Sequence, residues 1–277
     1  MIKDYYSVVL PVKNEEQNLK TLMPSLIPYC SELIIVDGHS TDKSVEIARQ
    51  YTPHIVFDPR IGKGAAIRKA IEHVTRPITV FIDADHSHNP EDIPKLIYPI
   101  IMGELDHVSG SRKLGGSDEL HGDFDKFLRM IGTDLITLGI NYRFNVRLTD
   151  CENGFRAIRT DVVRLLELKE NIATIEQEMI IKTLLNRFKV GEVATHEYAR
   201  TYGESKILIR KVAIRFIYSW LKNLSKPCNN CYDRNNKLNQ VWENKRLLIL
   251  DENRRELESI YERYRTQLSK THWLISN

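Results

Sequence analysis

The 277-residue sequence has only four cysteines, no internal repeat or low-complexity tract, and no uninterrupted apolar run near the roughly eighteen residues that a membrane-spanning helix needs. It also lacks a strong net charge: 40 Lys and Arg against 37 Asp and Glu leave +3, which gives no argument for nucleic acid as a partner. The opening "MIKDYYSVVLPV" has no long apolar h-region and reads as a first strand, not a signal peptide. A reducing, cytoplasmic compartment is therefore expected. Cys228 and Cys231 form one CxxC, but tetrahedral zinc needs four ligands and Cys30 and Cys151 belong to other segments, so free thiols are expected. The Gly-rich loop bearing Arg and Lys that a nucleotidyltransferase carries after its first strand is missing after "VVLPV".

What is present is an alternation of short apolar runs with helical patterns, the mark of a mainly parallel sheet built from βα units. "SVVLPV" (7–12) precedes a helix near 15–28, "ELIIVDG" (32–38) one at 41–51, and "HIVF" (54–57) one at 62–74. "ITVFIDAD" (78–85) precedes a helix opened by Asn89 and Pro90. "HVSGSR" (107–112) and "GFRAIR" (154–159) read as further strands, 113–123 as a loop, 124–140 as an amphipathic helix, and 160–188 as two helices. The strand ends carry Asn14 and Glu15, then Asp37, then Asp83 and Asp85. Three acidic strand ends on one edge of an open α/β sheet indicate a ligand cleft, because carboxylates that repel one another gather where something neutralises them.

Charge is unevenly spread. Residues 200–277 hold sixteen Lys and Arg against eight Asp and Glu. Within them, 206–226 has six basic and no acidic residues among twelve apolar or aromatic ones. On a helix, Lys211, Arg215, Lys222 and Lys226 share a sector opposite Ile209, Ala213, Phe216, Trp220 and Leu224. Two readings stand: an interfacial helix drawn to anionic lipid, or a helix packed on the body with a solvated basic face. The segment 251–268 reads as a charged helix that docks on the body or on a partner, a second copy of the chain included.

The pair Asp83-Ala84-Asp85 has the chemistry to hold Mg²⁺ or Mn²⁺ through oxygen while leaving sites for phosphate and water. Its context gives it meaning. "VVLPVKNEEQNL", "ELIIVDGHSTDKS", "GKGAAIRKAI", "VFIDADHSHNPEDI", "SGSRKLGG", "DCENGFRAIR" and "RTYGESK" follow one another in the order and spacing of inverting family 2 glycosyltransferases. Over about residues 5–210 the chain resembles that family, and within it the dolichyl-phosphate mannosyltransferase and polyprenyl-phosphate glycosyltransferase branch.

The resemblance implies an α/β fold of the GT-A (Rossmann-like) kind, a mainly parallel mixed sheet flanked by helices, with a catalytic domain at 1–205 and a helical C-terminal extension at 206–277. It implies a nucleotide-sugar donor held by Pro11, Lys13, Glu15, Asp37, Lys63, Asp83, Ala84 and Lys206, with the glycines beside Lys63 letting backbone approach the nucleotide, and Mg²⁺ or Mn²⁺ on Asp83 and Asp85. It assigns catalytic work to Asp85, Arg112, Asp150, Glu178 and Arg200. Asp150, Glu176 and Glu178 are the base candidates should the acceptor be a hydroxyl, whereas a polyprenyl phosphate needs no base. The loop 113–123 would close over the donor. Two departures stand out. Ser87 replaces a Gln common after the second metal Asp, flanked by His86 and His88, which contact metal or phosphate or are plain turn histidines. The branch's Ser-Arg-Gly-Ala-Asn acceptor block reads Met130-Ile131-Gly132-Thr133-Asp134, leaving Arg129 to compensate. The expected enzyme is peripheral on the cytoplasmic membrane face, or else a soluble transferase for a saccharide or small-metabolite hydroxyl.

Overall fold

Apolar alternation along the strands builds the core from both faces of one sheet. The computed structural model describes residues 1–119, 124–200, 202–203, 209–228 and 232–268. Its strands are β1 (Tyr6–Val12), β2 (Glu32–Asp37), β3 (Ile55–Phe57), β4 (Ile78–Phe81), β5 (His107–Ser111), β6 (Arg156–Arg159) and β7 (Val190–Ala194), in the order β3-β2-β1-β4-β6-β5-β7. Only β6 runs antiparallel to its neighbours, inserted between β4 and β5. The "GFRAIR" strand thus sits inside the sheet, next to the central β4, and the edge strand β7 had no counterpart in the sequence reading.

The helices are α1 (Glu16–Leu26), α2 (Ser44–Ala48), α3 (Lys63–Ile71), α4 (Ile93–Ile101), α5 (Arg112–Gly115), α6 (Phe124–Phe144), α7 (Thr160–Leu165), α8 (Ile175–Leu185), α9 (Ile209–Leu224) and α10 (Tyr232–Leu268). Successive strand residues point to opposite faces. Val8, Leu10 and Val12 meet α1 and α4 on one side, while Val9 meets α3, α7 and α8 on the other. Every residue of α8 is buried, because the sheet lies on one side of it and α6 and α9 lie on the other.

The C-terminal extension is not an appendage lying apart from this core. Helix α10 starts well before 251, kinks at Asn253, packs on α4, and places Trp242, Ile249, Leu257, Ile260 and Tyr264 in the same apolar cluster as β1 and β4. Helix α9 turns Phe216, Trp220 and Leu224 toward α6 and α8. Gly139 of α6 makes this possible, since a Cβ there would stand 2.1 Å from the Trp220 ring. The apolar side of α9 is therefore used for packing on the body, as the second of the two readings has it, and its exposed side carries Ile214, Ile217, Tyr218 and Leu221 beside Arg215 and Lys222.

Trp242 is 5% exposed and lies under the Arg159 guanidinium at 5.1 Å. Trp242→Ala should lower unfolding free energy in urea by about 3–5 kcal/mol. A loss under about 1 kcal/mol would show that α10 adds little to the core.

Candidate active site

Parallel register brings the carboxyl ends of β1, β2 and β4 together. After β1 the chain turns at Asn14, whose φ is 55°. Its N–H donates to Ser40 Oγ at 2.9 Å and its Oδ1 accepts the Thr41 N–H at 2.8 Å, which ties this turn to the one after β2. Pro11 stays in the strand opposite Val36, and the Lys13 stem lies along Gly38, where a Cβ would stand 3.2 Å away. Glu15 donates its N–H to Ser44 Oγ and accepts Asn18 Nδ2 at 2.7 Å. Asp37 is fully buried: Oδ2 accepts the Ser40 N–H at 2.9 Å, and Oδ1 has no partner among the described residues. A buried carboxylate oxygen without a donor is a seat for a ligand N–H or O–H. Phe57, paired in register with Asp37 and exposed, leans on His39 with ring centroids 5.5 Å apart and gives this seat an aromatic wall.

Strand β4 ends at Phe81, so Asp83 and Asp85 lie in the turn beyond it. Each carboxylate faces a cation. Lys63 Nζ is 2.6 Å from Asp83 and 2.8 Å from Glu176, and Arg200 is 2.9 Å from Asp85. Burial opposes the Lys63 charge, but Asp83 and Glu176 outweigh it and hold the ammonium above its usual pKa, as Lys63 holds Asp83 below its own. Ser87 donates its N–H and Oγ–H to Asp85 Oδ1 at 3.1 and 2.6 Å. It clamps Asp85. His86 forms the turn at φ 60°. His88 is 3% exposed, stacks on Phe155 at 5.0 Å, and burial favours its neutral form, so it packs the core beneath the turn.

The pair fits a hard divalent cation. No group of three His, Cys, Asp or Glu converges among the described residues, so Mg²⁺ or Mn²⁺ on Asp83 and Asp85 would complete its shell from diphosphate and water. Gly154 keeps the carboxylate's space open, because a Cβ there would stand 2.5 Å from Asp83 Oδ2 and 2.9 Å from Lys63 Nζ.

The glycines of "GKG" serve a different neighbour from the nucleotide expected of them. A Cβ on Gly64 would stand 2.4 Å from the Glu170 carbonyl oxygen, one on Gly62 (φ 129°) 2.7 Å from that of Asn171, and the Gly64 N–H donates to the Asn171 carbonyl at 2.8 Å. They let α3 begin against the 170–171 loop, which aims Lys63.

Two base candidates are otherwise engaged. Asp150, 1% exposed, holds Arg112 in a fork, Nε at 2.6 Å and Nη2 at 2.9 Å, and Arg112 lowers its pKa against the pull of burial. It orients Arg112, which also reaches Glu197 at 3.4 Å. Glu178 is not turned to this cleft: its oxygens accept the Lys169 and Glu170 N–H groups at 2.9 and 2.8 Å and pair with Lys182 at 2.8 Å, capping the loop after α7. Lys206 and residues 120–123 of the expected closing loop lie outside the described residues. Sequence reasoning passed over Glu152, although it stands inside the "DCENGFR" block. Burial and then Glu176 push its carboxyl well above the usual range, and its Oε1 has no partner among the described residues. On α6, burial and then Arg112 depress the Arg129 guanidinium, with Arg200 adding to the crowding.

Compared with known proteins, residues 7–166 match Glycosyl transferase family 2. The chain belongs to that family. An uncharacterized glycosyltransferase of Mycobacterium tuberculosis is 28% identical over 207 residues, 75% of this chain and 91% of its own. The dolichol-phosphate mannosyltransferase of Pyrococcus furiosus is 30% identical over 228 residues, 78% of this chain and 63% of its own. Among solved structures, glucosyl-3-phosphoglycerate synthase from M. tuberculosis with Mg²⁺ and UDP superposes with a TM-score of 0.64 at 19% identity, over 82% of this chain and 83% of that one. The fold of this glycosyltransferase is GT-A.

The turn that carries Asp150 is itself held by Glu192, which accepts the N–H groups of Thr149 and Asp150 and the Thr149 hydroxyl. Burial, opposed by these donors, pushes Glu192 from 4.5 up to about 7. In that window the folded protein keeps a proton the unfolded chain has released, so this group's stabilisation falls as pH rises from 4.5 to 7. Urea titrations across the window should show Glu192→Gln lacking that decline, and parallel curves for the two proteins would count against it.

Proposed function

We propose that this glycosyltransferase moves a hexose, mannose or glucose, from a nucleotide diphosphate sugar (GDP-mannose or UDP-glucose) to a polyprenyl or dolichyl phosphate at the cytoplasmic membrane face, with inversion. The observation that carries this reading is the gathering of Arg112, Arg129 and Arg200, with Arg200 on Asp85 and Arg129 on a helix whose outer face is exposed and apolar. Arg129 stands on α6, where Phe127, Ile131, Leu135, Leu138 and Tyr142 are exposed at helical spacing. With Ile214, Ile217, Tyr218 and Leu221 of neighbouring α9 they form a patch larger than scattered surface residues account for. No described helix is long and apolar enough to cross a membrane, so contact would be peripheral. Two comparisons support a phosphate-bearing acceptor: the Pyrococcus relative is named for dolichol phosphate, and the mycobacterial structures include one with phosphoglyceric acid.

On this reading Asp37 takes a donor hydrogen bond from the base or ribose, and Asp83 and Asp85 hold Mg²⁺ or Mn²⁺. When bound, the ion neutralises the diphosphate and makes it a better leaving group. Lys63, kept charged by Glu176, stands beside the same phosphates. Arg112, fixed by Asp150, works with Arg129 and Arg200 to hold the acceptor phosphate in line with the anomeric carbon. An acceptor oxygen forms the new bond as the bond to the diphosphate breaks, and no proton must move because the phosphate is already ionised. Glu152 favours a second reading, a hydroxyl acceptor, since its Oε1 has no partner among the described residues and burial raises the carboxyl's affinity for a proton.

The test is label transfer from GDP-mannose and UDP-glucose with Mn²⁺ to a short polyprenyl phosphate in vesicles. At least one donor should label the lipid, Asp83→Asn and Asp85→Asn should each lose about a hundredfold or more, and Glu152→Gln should stay within about tenfold. Label reaching only a hydroxyl acceptor, and lost in Glu152→Gln, sinks the lipid-phosphate reading. The double variant Leu135→Asp/Leu138→Asp should no longer float with phosphatidylglycerol vesicles, and flotation equal to wild type would remove α6 from the membrane contact.

A further inference from the structure

Away from the Asp83 cleft, the end of α8, the loop after α7, residues Lys226 and Pro227 after α9 and Arg234 of α10 line an open cavity of about 290 Å³. Its floor is apolar, with Leu166 and Leu185. Its walls carry Lys169, Lys182, Lys226 and Arg234, with Glu167 as the one acidic residue of the lining. We infer that this cavity binds the phosphate group of a small anionic ligand, at a second site distinct from the glycosyl-transfer cleft.

The ion-pair pattern leads there. Among the described residues, Lys182 alone of these four cations has a carboxylate partner, Glu178 at 2.8 Å. Lys226 Nζ instead donates to the Asn223 side-chain oxygen at 2.7 Å, and Arg234 to that of Asn186 at 2.8 Å, both neutral amides. Lys169 is exposed at the rim. Three cations therefore face one space without a carboxylate partner among the described residues, and their mutual repulsion would be relieved by an anion. The strain shows at Lys226, whose pKa burial lowers first and Lys182 next. A phosphate dianion would take donors from Lys226, Arg234 and Lys169 at once, and the fork of Arg234 suits two of its oxygens. The cavity is near the lower size of small-ligand sites, room for a phosphate with a modest organic body.

The site also touches the transfer machinery. Its wall at Glu167–Lys169 runs directly into Glu170 and Asn171, the backbone against which Gly62 and Gly64 press to aim Lys63. Glu178 fastens the N–H groups of Lys169 and Glu170, and Lys222 reaches Glu170 at 3.4 Å. An occupant thus bears on the loop that sets the Lys63 turn.

Equilibrium dialysis with radiolabelled inorganic phosphate decides the matter, run in Arg200→Ala protein so that the arginine cluster of the cleft is weakened. Adding Lys226→Ala/Arg234→Ala should weaken the remaining binding by roughly tenfold or more. The single exposed change Lys169→Glu should act the same way and serves if the double variant does not fold. A second arm replaces free phosphate with phosphatidate vesicles, using phosphatidylcholine as the blank. Loss of free phosphate in the pocket variants assigns a soluble ligand. Loss only of phosphatidate capture assigns a lipid headgroup. Pocket variants that match their parent in both arms overturn the site.

Discussion

The arrangement of the cleft depends on one half-buried ammonium. Lys63, 28% exposed, lies between Asp83 and Glu176 at 2.6 and 2.8 Å, and carboxylates in contact offset what its charge loses in leaving water. That demand reaches into four parts of the chain. Helix α3 must start within reach of the turn after β4, which needs glycine on both sides of Lys63 so that backbone meets backbone at 170–171. Helix α8 must present Glu176 from its first turn, although every other side of that helix is buried. The 152–154 turn must pass without a Cβ at Gly154. A ligand that takes Asp83 leaves Lys63 with Glu176, so its charge stays in place and turns to whatever replaced the carboxylate.

A second chain of contacts fixes the opposite wall. Glu192 of β7 holds the Thr149–Asp150 backbone, Asp150 holds Arg112, and Arg112 reaches Glu197. Each link satisfies a group that would be costly to bury alone. A guanidinium gripped on one edge by Asp150 keeps its direction without spending side-chain freedom when an anion arrives. This is why Asp150 acts through Arg112: an aspartate with both oxygens inside a guanidinium fork is a weak base.

The sheet was legible in the sequence because parallel strands buried on both faces read as apolar runs, and the runs ending in Asp37 and Asp83 have that form. Strand β7 was not, since "VGEVA" carries Gly and Glu at an edge and follows a helix without a turn signal. The acidic strand ends pointed to a cleft, and the order and spacing of seven sequence blocks pointed to the family. Roles within it were harder to read, because they follow from which oxygen meets which donor. Glu176 and Glu178 stand two residues apart on α8, and the helix turns one toward Lys63 and the other toward Lys169. The glycines of "GKG" look from sequence like a ligand cradle, and only the approach of Asn171 reveals their neighbour. The start of α10 was hidden by "YDRNNKLNQ", whose polar run has little apolar periodicity until Trp242.

Helix α6 has two unlike faces. Its inner side gives Ile136 and Ile140 to the core and Gly139 to the Trp220 contact, so packing is satisfied without the outer stripe. Leu138 (64% exposed) and Tyr142 (92% exposed) are left bare by this packing, in an apolar stripe of the kind that marks a contact surface. The same helix sets Arg129 toward Arg112 and Arg200. On the lipid-phosphate reading, the acceptor's chain stays against the outer stripe while its phosphate crosses to the guanidinium groups.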